Sequence, residues 1–316
     1  MTLQASPPPG VPGGGADVPQ PRAQPASTSR TRPRVSFARQ ATATALITLS
    51  VTLLGFAAWV VFFSRLDYDR VQYNDYANFR TELAQATAPT GPTVPSNPKV
   101  VLPPGTPVAV LRVPEIGLDA VVLEGTSGAV LEGGPGHLRD TPLPGQAGIS
   151  EILGRRAAYS GVFSGISSLR PGDIFTVITG LGVARYKVVD LRRPGDLVPP
   201  LTGPGRLILT TADGPPFAPT GVLRVDADLI SAAQPTSSPL ITAADLPSDE
   251  LLMGTNQLAW VWLVLWGIPL VLAASAVSWL SQRWGRWQAW IVAVPVLGYL
   301  GLAVADQVTQ LLPNLM

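Results

Sequence analysis

The chain has 316 residues, 22 Lys and Arg against 21 Asp and Glu, a single histidine and no cysteine. Lack of cysteine excludes disulfides, thiolate metal sites and thiol catalysis together. One histidine, His137, gives no basis for a histidine-rich metal site, and no cofactor is implied. A net charge of +1 gives no reason to expect a nucleic-acid partner, whereas a mean hydropathy of +0.28 points to length spent in lipid.

Residues 1–34 are rich in Pro, Gly, Ser and Ala and hold almost no large apolar side chain. Such a segment buries too little surface to offset its chain entropy, so residues 1–40 are expected as a disordered cytoplasmic tail. Three stretches follow without a charge: 23 residues from Ala41 to Phe63, 32 from Leu251 to Gln282 and 19 from Trp287 to Ala305. A helix needs roughly 20 apolar residues to cross a hydrocarbon core of ~30 Å. Spans are therefore expected at 41–63, 256–281 and 287–305, anchored in a lipid bilayer. The first is longer than a signal-peptide h-region and lacks a small-x-small cleavage site before Ser64-Arg65-Leu66, so it reads as an uncleaved anchor.

Orientation follows from the basic residues. Arg22, Arg30, Arg32, Arg34 and Arg39 precede the first span, and Arg283 and Arg286 lie between the last two. The opposite flanks are acidic or mixed: Asp67, Asp69 and Arg70, then Asp245, Asp249 and Glu250, then Asp306. Cytoplasmic loops favour Lys and Arg, which places the amino terminus inside and residues 64–250 outside a multi-pass cell-membrane protein. Trp260, Trp262 and Trp266 in one span, and Trp279, Trp284, Trp287 and Trp290 near the inner face, fit interfacial aromatic belts.

Between the anchors, residues 64–107 divide in two. Leu66, Tyr73, Tyr76, Phe79 and Leu83 form a one-sided helical stripe, expected as a stalk. The prolines from Ala88 to Pro107 describe a spacer that holds neither helix nor central strand. Then come short runs rich in Val, Ile and Leu: Val108–Val113, Ala120–Leu123, Ile149–Leu153, Ile174–Thr179, Val183–Leu191, Leu207–Thr211 and Val222–Leu229. Gly, Pro and Asp separate them, as in an all-β barrel or sandwich, expected here over 108–230. Tyr159 to Leu169 is the one helix-like insertion. A linker (231–250) leads back to the spans, and 306–316 is expected as an extracytoplasmic tail.

Six pieces of this region, in order, resemble the sortases, cysteine transpeptidases that cut the sorting signals of exported proteins and join them to an amine. They are Leu111-Arg112-Val113-Pro114-Glu115-Ile116-Gly117-Leu118; Gly134-Pro135-Gly136-His137 with Leu143-Pro144-Gly145 and Gly148; Ile152-Leu153-Gly154-Arg155-Arg156; Phe163, Leu169 and Gly172-Asp173; Leu207 to Thr211; and Leu223-Arg224-Val225. The anchors at both ends resemble some actinobacterial sortases of class E or D type. The resemblance implies an all-β sortase-like barrel of about seven or eight strands with one short helix, outside the membrane, beside three transmembrane α-helices.

The resemblance equates the family's catalytic cysteine with Ala212, its histidine with Arg155 and its arginine with Arg224. A methyl group cannot attack a carbonyl to form an acyl-enzyme. A guanidinium, with a pKa above ~12, exchanges no proton near neutral pH. Arg224 can still donate to a bound carbonyl. Thr210 and Thr211 are the nearest hydroxyls, but each needs a base, for which His137, Asp213 and Asp226 are the candidates. Two cations without a thiolate also need a counter-ion. Asp213 is nearest in sequence to Ala212, although strand alternation turns it to the other face.

The leading expectation is a sortase-fold pseudoenzyme that binds a peptide or an exported surface protein at the cell envelope. Arg155, Thr211, Ala212, Asp213, Arg224 and His137 are its candidate binding residues. An active sortase or another membrane protein is a further partner. Two alternatives remain: a transpeptidase or hydrolase with a non-cysteine nucleophile, and a structural component of a membrane complex.

Overall fold

A computed structural model describes residues 64–236, 240–283 and 286–316, with isolated positions 2, 10, 50, 54 and 55. The chain divides into two units, Met1–Ala43 and Thr44–Met316, and every element below belongs to the second. Apart from those isolated positions, the tail at 1–40 and the span at 41–63 lie outside the described residues.

The Val, Ile and Leu runs are strands, all but one of which extend beyond the apolar stretch. Strands β3 (Pro107–Val113), β4 (Leu118–Glu124), β5 (Gly136–His137), β6 (Gly148–Leu153), β7 (Ile174–Thr179), β8 (Gly182–Arg192), β9 (Gly205–Asp213) and β10 (Gly221–Leu229) close into a barrel in the order β10-β8-β7-β3-β4-β5-β6-β9. Closure pairs β9 with β10 antiparallel, while β4–β5 and β6–β9 are parallel. Full closure leaves no open edge. Side chains alternate along each strand. Ile152, Leu207, Leu209, Leu223 and Val225 point into the core, which sends Leu153, Ala212 and Val222 to the outer face.

Three elements departed from expectation. The proline-rich stretch carries a small hairpin, β1 (Thr93–Val94) with β2 (Asn97–Val101), outside the barrel. Helix α2 (Gly128–Gly133) follows β4, its amino end capped by Ser127, whose hydroxyl accepts from the Val130 amide. The Tyr159–Leu169 insertion is two 3-10 turns, Tyr159–Gly161 and Ile166–Ser168. Gly161 and Gly165 weaken any continuous helix there, while Phe163, Ile166 and Leu169 still reach the core.

Helix α1 (Ser64–Ala84) is a docked helix rather than a free stalk. Phe79 is fully buried against Val110, Val121 and Leu123. Gln72 brackets the edge of β4: its amide nitrogen donates to the Val121 and Gly133 carbonyls, and its oxygen accepts from the Val121 amide. The packed face thus runs Tyr68, Gln72, Tyr76, Phe79. Leu66 and Tyr73, which the apolar stripe included, are exposed.

Helices α3 (Ala259–Arg283) and α4 (Arg286–Leu311) pack on each other, with Trp266 meeting Tyr299 edge-on. Their segments Ala259–Val277 and Ile291–Leu311 are long and apolar enough to cross a membrane. Leu265, Ile268, Val271 and Leu272 on α3, and Ile291 and Val294 on α4, lie exposed. Residues 306–316 are not a free tail. α4 continues to Leu311, and Leu315 beyond it is fully buried on the barrel.

Candidate functional site

The outer face of β6, β9 and β10 presents Leu153, Ala212 and Val222 side by side. Register sets Val222 opposite Ala212, and Leu153 opposite the neighbouring Thr210. Leu131 of α2 adds one wall, and Leu315 fills the space between them. Ala212 is consequently 1% exposed. Its methyl sits in an apolar pocket beneath a leucine of the same chain.

That leucine arrives on a short segment, residues 312–316. Pro313 cannot continue α4, so the chain turns off the helix axis there. The Leu315 carbonyl accepts from the Arg156 amide at 3.0 Å. The Asn314 side-chain amide donates to the carbonyls of Thr126, Leu251 and Asp249, and its backbone amide to Gly254. Residues 249–254 thus brace the segment from the other side. Thr126 joins them to the barrel through a hydroxyl bond to the Glu250 carbonyl.

Arg155 follows Gly154, whose identity is forced. A Cβ there would lie 2.5 Å from the Phe163 ring. The Arg155 side chain is fully buried and turns toward α2, where Nη2 donates to the Gly128 carbonyl at 2.8 Å. The same nitrogen lies 3.5 Å from Glu132 Oε1, and the Tyr159 ring stacks on the guanidinium at 4.8 Å. Its Nε and Nη1 find no hydrogen-bond partner among the described residues. Burial lowers the Arg155 pKa, opposed by the Glu132 carboxylate. Burial likewise pushes Glu132 up to about 7, with Arg155 pulling the other way and Asp306 adding to the rise. Thr309 of α4 lies 3.4 Å from Glu132 and 3.3 Å from the Tyr159 hydroxyl. Tyr159 and Ser160 both hold left-handed backbone, at φ 49° and 69°. Such non-glycine conformations cost about 1–3 kcal/mol each and persist where the surroundings fix them. Here the Arg155 stack and the apposed Tyr68 of α1 do so.

The other candidates separate into distinct neighbourhoods. Arg224 lies on the Ala212 face, two residues from Val222, with Nε 3.8 Å from Glu151. Glu151 in turn accepts from Thr210 at 2.6 Å. Burial raises the Glu151 pKa, against the Thr210 bond and the Arg224 charge. Asp213 serves neither Arg155 nor Arg224. It pairs with Arg193 at 2.8 Å on the half-exposed rim, so the expected counter-ion role is corrected to Glu132 for Arg155 and Glu151 for Arg224. Thr211 points inward and donates to the Gly154 carbonyl at 2.8 Å. Asp226 is tied to Arg192.

His137 lies on β5, buried, with Nδ1 2.9 Å from Glu124 and Nε2 3.0 Å from the Pro142 carbonyl. Burial pulls its pKa down, but the Glu124 charge and these hydrogen bonds outweigh that and leave it raised. The pair borders a small separate cavity of about 120 Å³ with Arg139 and Gln146. Glu132, Glu151, Asn314 and Leu315 escaped the sequence reading. None lies in a motif, and only Pro313 signals that the chain leaves a helix before Asn314 and Leu315.

Compared with known proteins, residues 111–227 match the family model described as the sortase domain. No curated protein matches the chain. Among solved structures it is similar to a sortase D5 transpeptidase of Clostridium perfringens, at 22% identity over 51% of this chain and 99% of that one, TM-score 0.42. It is also similar to sortase E of Streptomyces avermitilis (28% identity, 46% of this chain and 100% of that one, TM-score 0.35). A third is sortase C-1 of Actinomyces oris, with 27% identity over 40% of this chain and 76% of that one, and a TM-score of 0.35. The eight-stranded barrel and the matched family model together identify residues 111–227 as a sortase-family domain.

Proposed function

We propose that this protein is a membrane-anchored, extracytoplasmic sortase-domain protein that binds an extended peptide, or a segment of an exported surface protein, without cutting it. The observation that carries the reading is the pocket at Ala212. A methyl group is packed under a leucine where acyl transfer needs a nucleophile. Arg155, in the position of the acid and base, is bound to Glu132 and Tyr159 and has no proton to exchange near neutral pH. The pocket nonetheless retains what a peptide needs: an apolar socket and, at its rim, the Arg156 amide, which already holds a backbone carbonyl.

The competing reading, a displaced nucleophile, has one geometry in its favour. Thr210 donates to the Glu151 carboxylate beside Arg224. Thr210 is fully buried, however, and a nucleophile has to reach the scissile carbonyl.

The test uses the full chain in lipid nanodiscs, incubated with sorting-signal peptides and an amine acceptor. Expected are saturable peptide binding and peptides recovered intact by mass spectrometry. Cleaved or transferred product that disappears in Thr210→Val or Glu151→Gln would establish the transpeptidase instead. Absence of any peptide binding would leave the structural role.

A further inference from the structure

The residues that close the Ala212 pocket belong to the chain itself, and their contacts are those of a bound peptide. Segment 312–316 enters the pocket with one branched apolar side chain, Leu315, seated on Leu131, Leu153 and Ala212. Its backbone is read through one carbonyl, by the Arg156 amide, and the preceding amide side chain of Asn314 is held by three carbonyls. The segment contributes no strand to the barrel and, among the described residues, no ion pair. Its attachments beyond the pocket run to Thr126 and to residues 249–254, and the turn of α4 just before it is tied to Asn256. There the Asn256 amide donates to the Gln310 carbonyl, and its side chain to the Gln310 side chain. Asn314, Leu315 and Met316 are all buried, so the segment is docked in the socket, and its release would uncover the apolar face at Ala212.

We infer that residues 312–316 are an intramolecular ligand of this pocket, exchangeable with an external peptide that presents a leucine-sized side chain after an amide residue. This rests on the peptide-binding reading above and specifies its ligand. The segment and the partner compete for one socket. The apparent affinity of the intact chain is therefore lowered by the fraction of time the socket is filled from within. Because the segment hangs from α4, the hairpin sets that fraction.

The probe is a fluorescent synthetic peptide with the sequence of residues 310–316, added to protein in nanodiscs and followed by anisotropy. A chain shortened to end at Leu311 is expected to bind it at least tenfold more tightly than the intact chain. The same peptide with its leucine at position 315 changed to Asp should bind neither. A folded shortened chain that ignores the 310–316 peptide but binds a sorting-signal peptide overturns this inference and leaves the binding reading standing. If it binds neither, both fall.

Should the shortened chain not fold, Leu315→Cys in the intact chain decides the matter, since no other thiol is present. Expected is maleimide labelling that accelerates with added 310–316 peptide while a Leu209→Cys control stays silent. Labelling of both cysteines only together, at the rate of global unfolding, would make Leu315 an ordinary core residue and overturn the inference.

Discussion

Arg155 makes one close hydrogen bond, one long contact to a carboxylate and one stack on a ring, all inside the protein. Glu132, its acidic neighbour, has its pKa pushed up to about 7 because burial resists its charge. A carboxyl whose pKa is raised by folding binds its proton more tightly in the native state. The native state therefore loses stability as pH climbs from about 4.5 to about 7, and the loss is constant above that. Arg155→Met removes the cation that makes ionised Glu132 tolerable. Below pH 6 Glu132 is mostly protonated and the substitution should be nearly neutral, since it also removes a buried guanidinium short of partners. At pH 8.5 it should cost about 2–3 kcal/mol, less than the ~3–5 kcal/mol of a broken buried pair because Glu132 can escape by taking up a proton. Urea titrations at both pH values measure this. A cost independent of pH would mean that Glu132 does not answer to Arg155. The double variant Arg155→Met, Glu132→Leu should recover most of the loss at pH 8.5, as apolar replacement of buried ion pairs commonly does.

Helix α1 shows how far local pattern reaches. Phe79→Ala empties a fully buried site between the helix and β3–β4 and should cost about 3–5 kcal/mol. Tyr73→Ala, on the exposed side, should stay within about 0.5 kcal/mol of the parent. Thermal melts of the two variants separate a docked helix from a detached stalk, for which both would be neutral. The sequence stripe predicted the helix and three of its packing residues, Tyr76, Phe79 and Leu83, but also took in Leu66 and Tyr73, which are apolar without being buried. The polar Gln72 sits in the interface because β4 leaves a carbonyl and an amide for it to satisfy. Seven of the eight barrel strands were legible, since each carries its own run of Val, Ile and Leu between turn residues. Strand β5 and helix α2 were not: two residues or six, rich in glycine, carry no period of their own, and β5 exists because β4 and β6 pair with it, α2 because Ser127 caps it and Leu131 packs beneath it. The cover over Ala212 was illegible for the same reason. Leu315 and Leu153 are 162 positions apart, and only the completed barrel brings them together. That cover has its own signature at this scale. Ala212→Cys should give a thiol that alkylates slowly in the intact chain and at least tenfold faster once residues 312–316 are removed; equal rates would show that the segment does not shield the pocket.

At the scale of the whole molecule, the pocket and the two apolar helices share an end. Residues 249–256, before α3, and 306–316, the last turns of α4 and the segment after it, are the ones that roof Ala212 and touch Glu132. If α3 and α4 cross a bilayer, the pocket therefore lies against its surface rather than out at the far pole of the barrel. We propose which surface that is from the distribution of charge. Arg283 and Arg286 at the remote end of the hairpin, and the five arginines before residue 41, favour the cytoplasm, so the barrel is expected outside. The absence of cysteine makes this directly measurable, because one introduced thiol has no background. Leu197→Cys lies at a position that is 90% exposed and remote from the pocket's residues in sequence. It should react with a membrane-impermeant maleimide in intact cells, whereas Ser29→Cys should react only after the membrane is opened. The reverse pattern would invert the topology and place the pocket where exported segments are not yet folded or anchored, removing the surface-protein partner. Labelling of both in intact cells would show that nothing separates the two positions, and the apolar faces of α3 and α4 would then require a protein rather than a lipid to cover them.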